Sequence, residues 1–379
     1  MKNKKIKLII FTVARSDFGI ISNFLKKIQN DKRFGVYLLK GPAHSSNLFG
    51  MTQSEIKQKK IKKIINYNFK YKNSDESSIA KYFSLFFLNN IKIIKKIKPN
   101  GAVILGDRYE MLANALSCLN LNIPIFHFCG GSKTLGSLDD TYRNCISLMS
   151  NVHFLETNNH KENLIKMGIK NNLYVVGAPA LENVKLDIND FEKVCKNFKL
   201  VLDKKKKLII CSFHPETTNT LVNNVKKLNI LLSFLISTNQ NIIFTYPNAD
   251  LGYRKYIKII KTKFKNKKNI FLIKNLGKNN YYSILNNADL MIGNSSSGII
   301  ESASFGLPVL NVGERQKNRF KANNVLNSRL TNNSLINTYK LAISKKFVIK
   351  CKKIKNPYEK KNTSKSSIEI IYKYLKFTR

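Results

Sequence analysis

The sequence predicts an α/β protein made of two successive Rossmann-like halves. Three observations carry that prediction. Short apolar runs alternate with segments of helical spacing, as in a parallel sheet with crossover helices. After a polar stretch the alternation restarts near residue 208. Several runs end in glycine-rich or polar turns that carry acids and bases, where an α/β sheet places its ligand cleft. With 379 residues and 43% apolar content, the chain is long enough for two domains, each with its own core.

Residues 8–13 are an apolar run, and residues 20–28 have helical spacing through Ile20, Ile21, Phe24, Leu25 and Ile28. The turn between them, Ala14 to Gly19, carries Arg15 and Asp17 at the strand's carboxyl end, the place for a diphosphate partner. A strand at 36–39 leads into a loop at 41–50 containing His44, then a lysine-rich surface stretch at 57–63 and a long helix at 79–97. The buried strand 102–105 ends in Gly106-Asp107-Arg108-Tyr109-Glu110, immediately ahead of a helix at 111–119. Asp107 there is either a functional acid or a helix cap. Strand 123–128 delivers His127, Cys129, Gly130, Gly131 and Ser132 to the same edge, and Asp139, Asp140 and Arg143 open the helix 142–149. The two aspartates are either site acids or simply acids favourable to the helix dipole. A strand at 152–155, a helix near Leu164 and a strand at 174–176 complete the half.

Gly177-Ala178-Pro179-Ala180 reads as a crossing between domains, followed by a polar helix and the run Lys204 to Lys207. Strand 208–212 ends in Phe213-His214-Pro215-Glu216, and a helix follows at 221–236. Strand 242–246 ends in Pro247-Asn248-Ala249-Asp250; a strand at 270–273 and a helix at 281–287 come next. Strand 309–312 leads into Glu314-Arg315-Gln316. The chain closes with a helix at 366–377, for which Ser366 and Glu369 fit a capping box. Its apolar positions Ile368, Ile371, Tyr372 and Leu375 form one face. The expected domains are 1–180 and 181–362, with 363–379 packing back across them.

The most telling turn follows the short strand 290–292. Gly293-Asn294-Ser295-Ser296-Ser297-Gly298 places small residues, hydroxyls and a helix start together, which suits a phosphate or diphosphate. Glu301 then stands where a carboxylate binds ribose hydroxyls, or where an acid merely favours the helix dipole. The absence of a G-x-G-x-x-G fingerprint argues against a nicotinamide enzyme. Two such halves are expected to clamp a nucleotide between them.

The formal charge of +43 would by itself point to nucleic acid or a membrane surface. The lysines, however, are spread along the whole chain without a distinct tail or RNA-binding signature. They are read as solvated faces, so neither partner is expected, although their field should attract phosphorylated ligands. Six cysteines without a C-x-x-C pair fit reduced thiols, and the N-terminal lysines pass directly into a strand without a cleavage site. Cytoplasmic residence is the expectation.

Taken together, these motifs resemble the hydrolysing UDP-N-acetylglucosamine 2-epimerases of sialic acid biosynthesis. The resemblance rests on Arg15-Ser16-Asp17-Phe18-Gly19, Gly106-Asp107-Arg108, and Gly130-Gly131 with Asp139-Asp140-x-x-Arg143. It continues through Gly177-x-Pro179-Ala180, His214-Pro215, Pro247-Asn248-Ala249-Asp250, Gly293 to Glu301, Phe305-Gly306-x-Pro308 and Gly313-x-Arg315-Gln316. It implies a GT-B fold, two Rossmann-like domains facing a cleft, with the nucleotide mainly on the second domain and the sugar facing the first. It also implies elimination of UDP across C1 and C2 of the sugar, then hydration of the 2-acetamidoglucal, with no metal or redox cofactor. Close relatives treat other activated acetamido sugars on the way to legionaminic-type acids.

Carried over by residue, the resemblance gives Ser295 and Ser296, with Gly298, to the phosphates and Glu301 to the ribose. Arg15, Arg108 and His214 neutralise the diphosphate; Asp107, Asp139 and Arg143 line the sugar pocket; Asp17 and His44 belong to the substrate side. Homo-oligomers are expected by analogy. The sequence departs from the family in its glycine loop, where Cys129 and Ser132 occupy positions at which relatives carry an acid, and Asn144 stands where histidine is usual. An altered sugar, a rearranged set of acids or lost activity fits that departure. Two other classes use the same clamp: a GT-B glycosyltransferase and a non-catalytic sugar-nucleotide binder.

Overall fold

The computed structural model describes residues 5–45, 53–58, 60–70, 76–182, 184, 188–247 and 252–377. The chain forms two units. The first contains Met1–Ser132, Asp139–Glu182 and Tyr358–Arg379; the second contains Lys133–Leu138 and Asn183–Pro357.

The first unit runs β1 (Ile6–Thr12), α1 (Arg15–Asn30), β2 (Phe34–Lys40), α2 (Gln53–Gln58), β3 (Ile64–Asn66), α3 (Glu76–Ile97), β4 (Gly101–Leu105), α4 (Tyr109–Asn120), β5 (Ile125–Phe128), α5 (Asp139–Leu148), β6 (Val152–Leu155), α6 (Asn158–Lys166) and β7 (Leu173–Val175). Its strands are all parallel in the order β3-β2-β1-β4-β5-β6-β7. The central strands read as unbroken apolar runs because helices cover both faces of the sheet; β4 and β5 are buried throughout. Connections reverse direction between β1 and β4, so the turns after these two strands flank the switch point where α/β sheets bind ligands.

The second unit repeats the plan with α7 (Phe191–Asn197), β8 (Leu208–Ser212), α8 (Leu221–Ser237), β9 (Asn241–Thr245), α9 (Tyr253–Lys263), β10 (Ile270–Ile273), α10 (Lys278–Asn287), β11 (Leu290–Gly293), α11 (Ser297–Ile300), β12 (Val309–Val312), β13 (Val325–Ser328), α12 (Asn332–Ala342) and α13 (Lys345–Lys352). Its parallel sheet has the order β10-β9-β8-β11-β12-β13, and its switch point lies between β8 and β11. Among the described residues no helix is long and apolar enough to cross a membrane.

The chain leaves the first unit after Glu182 and re-enters it at Tyr358. Gly177–Ala180 therefore lies at the end of the first unit, where the Ala178 N–H donates to the Tyr358 carbonyl (2.8 Å). The closing helix α14 (Thr363–Phe377) adds Ile368, Ile371 and Leu375 to the first unit's core. It begins three residues earlier than the sequence suggested, so Ser366 lies inside the helix and no capping box forms. Glu369 instead meets Arg33 (3.0 Å), whose guanidinium also stacks 4.4 Å from the Tyr372 ring centroid. A second correction concerns Arg15-Ser16-Asp17-Phe18-Gly19, which form the first turn of α1 rather than a loop before it.

Candidate functional site

At the first unit's switch point, Asp17 is the third residue of α1 and accepts the N–H groups of Val13 (2.7 Å) and Ala14 (3.1 Å), fixing the turn out of β1. It also accepts the Thr12 hydroxyl proton (2.9 Å). Because that proton is committed, His44 Nε2–H donates to Thr12 Oγ1 (3.0 Å). Burial holds His44 neutral, with its pKa lowered to about 3, and the Lys40 charge adds to the effect. Burial raises the Asp17 carboxyl to about 6, against its hydrogen bonds from Val13, Thr12 and Ala14. Asp17 and His44 are thus tied into the floor of the turn. The Arg15 side chain lies outside the described residues.

The turn after β4 carries Asp107 and Arg108. The Arg143 guanidinium, 1% exposed, donates to Asp107 Oδ2, to Asp140 Oδ1 (3.3 Å) and to the Ser132 carbonyl (2.7 Å). One buried cation therefore joins the β4 turn, the start of α5 and the end of the glycine loop. Burial disfavours its charge, but Asp107 first, then Asp139 and Asp140, reverse that and raise its pKa. Asp107 keeps 29% of its side chain exposed. Arg108 turns to Glu110, a nearly buried acid, at 3.1 Å.

The glycine loop is shaped by backbone. Cys129 and Gly131 adopt left-handed φ values of 67° and 74°. A Cβ on Gly131 would overlap the His160 carbonyl, and the Gly131 carbonyl accepts Asn163 Nδ2 (2.8 Å). His127 Nε2–H donates to the Gly106 carbonyl (3.0 Å), so its Nδ1 accepts from Ser147 Oγ (3.2 Å). Burial lowers its pKa to about 3, which makes it a neutral brace from β5 to the β4 turn and α5.

In the second unit, buried Asn294 clasps the β8 turn at two points: its Oδ1 accepts the His214 N–H (2.7 Å) and its Nδ2 donates to the His214 carbonyl (2.9 Å). Arg315 (3.3 Å) and Gln316 (2.9 Å) donate to the Asn294 carbonyl. Ser295 and Ser296 are half-buried on the turn, and Gly298 packs against Val309 and Met291. The helix expected here is the single turn α11, followed by a 3-10 turn at Ser302–Phe305, so Glu301 lies at the end of α11 rather than in the first turn of a long helix. Tyr281 OH donates to Ser297 Oγ (2.7 Å), which donates to Glu301 Oε2 (2.5 Å). Burial raises the Glu301 pKa, opposed by Ser297, Lys278 and Tyr282. Asn248, Ala249 and Asp250 lie outside the described residues.

Glu216 was not singled out in the sequence, yet it organises this edge. Fully buried, it accepts the Glu314 N–H (2.7 Å), Asn219 Nδ2 (2.7 Å) and the Lys227 ammonium (2.5 Å). The available signal was an acid directly after His214-Pro215 at a strand's carboxyl end, with a lysine on the following helix. Thr12, the link between Asp17 and His44, carried no signal beyond ending its strand.

Each of the two sheets thus gathers polar turns at a switch point, where an open α/β sheet binds its ligand. Residues 26–372 match the family described as UDP-N-acetylglucosamine 2-epimerase. The chain belongs to that family. Within the epimerase family it is 37% identical over 350 residues to the GDP/UDP-N,N'-diacetylbacillosamine 2-epimerase (hydrolyzing) of Campylobacter jejuni, covering 90% of this chain and 89% of the relative. It is 32% identical over 343 residues to the UDP-N,N'-diacetylbacillosamine 2-epimerase (hydrolyzing) of Legionella pneumophila, covering 89% of each. The UDP-GlcNAc 2-epimerase of Neisseria meningitidis, solved bound to UDP-GlcNAc, superimposes with a TM-score of 0.82 at 17% identity, covering 98% of this chain and 100% of that one. The epimerase fold is GT-B, and the chain is an enzyme of the hydrolysing nucleotide-sugar 2-epimerase type.

Proposed function

We propose that this epimerase acts on a nucleotide-activated N,N'-diacetamido sugar. The observation that carries the choice is that two relatives, 37% and 32% identical over 90% and 89% of the chain, are named for diacetylbacillosamine nucleotides. In the reaction a base removes the C2 proton, the C1–O bond breaks, and the electron pair departs with the nucleoside diphosphate. Water then adds across the resulting double bond, hydroxyl to C1 and a proton to the opposite face of C2, releasing the 2-epimer.

Each step needs something this chain's residues supply. The C2 proton is weakly acidic, so the base must be positioned. Asp107, partly exposed and gripped by Arg143, and Asp139, at the start of α5, are the acid–base pair, with Arg143 orienting Asp107. Departure of the diphosphate needs positive charge and donors. Arg15, Arg108, His214, Ser295 and Ser296 fill that role, Gly298 lets the turn pack closely, and Glu301 binds the ribose. Asp17 and His44 hold the turn out of β1, next to Arg15 in sequence. With Cys129 and Ser132 in the glycine loop, two aspartates carry the proton transfers. Cytoplasmic residence and a homo-oligomer, by analogy with the family, belong to the same reading.

The test is incubation with UDP-GlcNAc and with UDP- and GDP-diacetamido sugars, following nucleotide release and sugar stereochemistry by NMR. Turnover of the diacetamido substrates at the highest kcat/KM is expected. Preference for UDP-GlcNAc would overturn the sugar assignment, and turnover of none would overturn the enzymatic reading. Asp107→Asn should abolish turnover and leave UDP affinity within about several-fold; near-normal turnover removes Asp107 from the chemistry.

A further inference from the structure

The segment Lys133–Leu138 follows directly on the glycine loop in sequence but belongs to the second unit. It is seated there by polar and backbone contacts. The Leu135 N–H donates to the Lys317 carbonyl (3.3 Å), Thr218 Oγ1 donates to the Gly136 carbonyl (3.1 Å), and the Leu138 N–H donates to Thr217 Oγ1 (3.0 Å). Its leucines do not anchor it, since Leu135 and Leu138 are 50% and 47% exposed. Gly136 does. A Cβ at that position would overlap the Glu314 carbonyl and lie 2.7 Å from Arg315 Cα, so the segment lies flat on the 314–317 turn only because residue 136 has no side chain.

That turn has a second face. Arg315 and Gln316 donate to the Asn294 carbonyl, and Glu216 holds the Glu314 N–H. The seat of the segment and the support of the phosphate-type turn therefore meet on one stretch, the 314–317 turn. Upstream, the segment runs covalently into Ser132, whose carbonyl is held by Arg143, the partner of Asp107.

We propose that residues 133–138 are a strap through which the nucleotide turn sets the glycine loop, with Gly136 as the positioning residue on which the seat depends. The proposal rests on the functional reading above. Occupation of the Ser295-Ser296 turn by the diphosphate fixes Asn294, hence the 314–317 turn, hence the strap and the loop beside Asp107. Chemistry then proceeds only with nucleotide in place.

The test is Gly136→Ala, with Thr218→Val as a milder variant that removes one strap bond and adds no Cβ clash. In Gly136→Ala, kcat should fall by about 10²-fold, the order expected for misplacing catalytic groups by about 1 Å, while UDP affinity stays within about threefold. Thr218→Val should show the same split with a smaller loss. Unchanged kcat in both variants, or parallel loss of kcat and UDP affinity, would overturn the strap. Hydrogen exchange reads it without turnover: UDP should slow exchange of the amides of residues 129–132 in the unmutated chain and not in Gly136→Ala. Absence of that protection in the unmutated chain refutes the strap even if the enzyme is active. Protection without turnover of any sugar supports the strap while the functional reading fails.

Discussion

Arg143 is the residue whose loss should be felt most widely. A guanidinium 1% exposed is tolerable only because Asp107, Asp140 and the Ser132 carbonyl surround it. Arg143→Met leaves these groups without their donor and should destabilise the first unit by about 3–5 kcal/mol in urea unfolding. Arg143→Lys keeps the charge but not the planar fork, and should lower kcat by on the order of 10²-fold with a smaller stability loss. A Lys variant with normal kcat would remove the orienting role. In the second unit, Glu301→Ala deletes the end of the Tyr281–Ser297–Glu301 chain. It should weaken UDP binding by at least about tenfold in calorimetry, the scale of a hydrogen bond to a charged group, and unchanged affinity would refute the ribose contact. The sequence made Asp107 and Arg143 legible as residues at a strand edge and a helix start. It did not make their pairing legible, because the partners stand 36 positions apart and meet only through the sheet. Asp17 shows the opposite limit: its carboxylate is engaged by Thr12, Val13 and Ala14, a local arrangement that residue type alone does not separate from ligand binding.

Elements were readable in proportion to their burial on both faces. β4, β8, β11 and β12 are buried along their whole length, so each stands out as an apolar run. β3 was not foreseen, being three residues long with Ile64 36% exposed among lysines. α9, α12 and α13 were missed for a related reason, since Lys- and Asn-rich surfaces dilute their apolar stripes. The cap of α14 failed as a prediction because Glu369 finds Arg33, a partner 336 residues away that no local rule can supply. Turns are where element geometry is least forgiving. Gly293 has φ 143°, and a Cβ there would overlap the Ser212 carbonyl across the β8–β11 pairing. Gly293→Ala should therefore destabilise the second unit by at least about 2 kcal/mol and weaken UDP binding, measured by denaturation and calorimetry. An unaltered unfolding midpoint would show that the β11 turn relaxes.

At the scale of the whole molecule, the repeated α/β alternation made the two-sheet architecture legible, because a doubly wound sheet writes its period into hydrophobicity. It left the excursion of 133–138 invisible, since that depends on contacts between distant parts of the chain. The first unit also carries a pH dependence. His44, His127 and His153 are buried and neutral, burial holding their pKa values at about 3, about 3 and about 4. The unfolded chain binds those protons near pH 6.5, so their contribution is complete above that pH and is lost on acidification, at about 1.4 kcal/mol per pH unit for each histidine. Asp17 acts in the opposite sense. Its folded pKa of about 6 lies above the ordinary 3.8, so its contribution grows as pH falls between those values. Three histidines outweigh one aspartate, and the first unit's unfolding free energy should drop from pH 7 to pH 5. A flat or rising profile in urea denaturation would contradict neutral burial of these histidines.

The return of α14 also constrains how the protein is made. Ile368, Ile371 and Leu375 belong to the first unit's core, yet residues 183–357 are translated before them. On the ribosome the first unit must wait with that apolar surface open while the stretch is synthesised, on the order of ten seconds or more at about 5–20 residues per second. All the segments of the second unit have been translated by then. The half translated later can thus finish folding before the half translated first, and the interval is when a chaperone has an apolar face to hold.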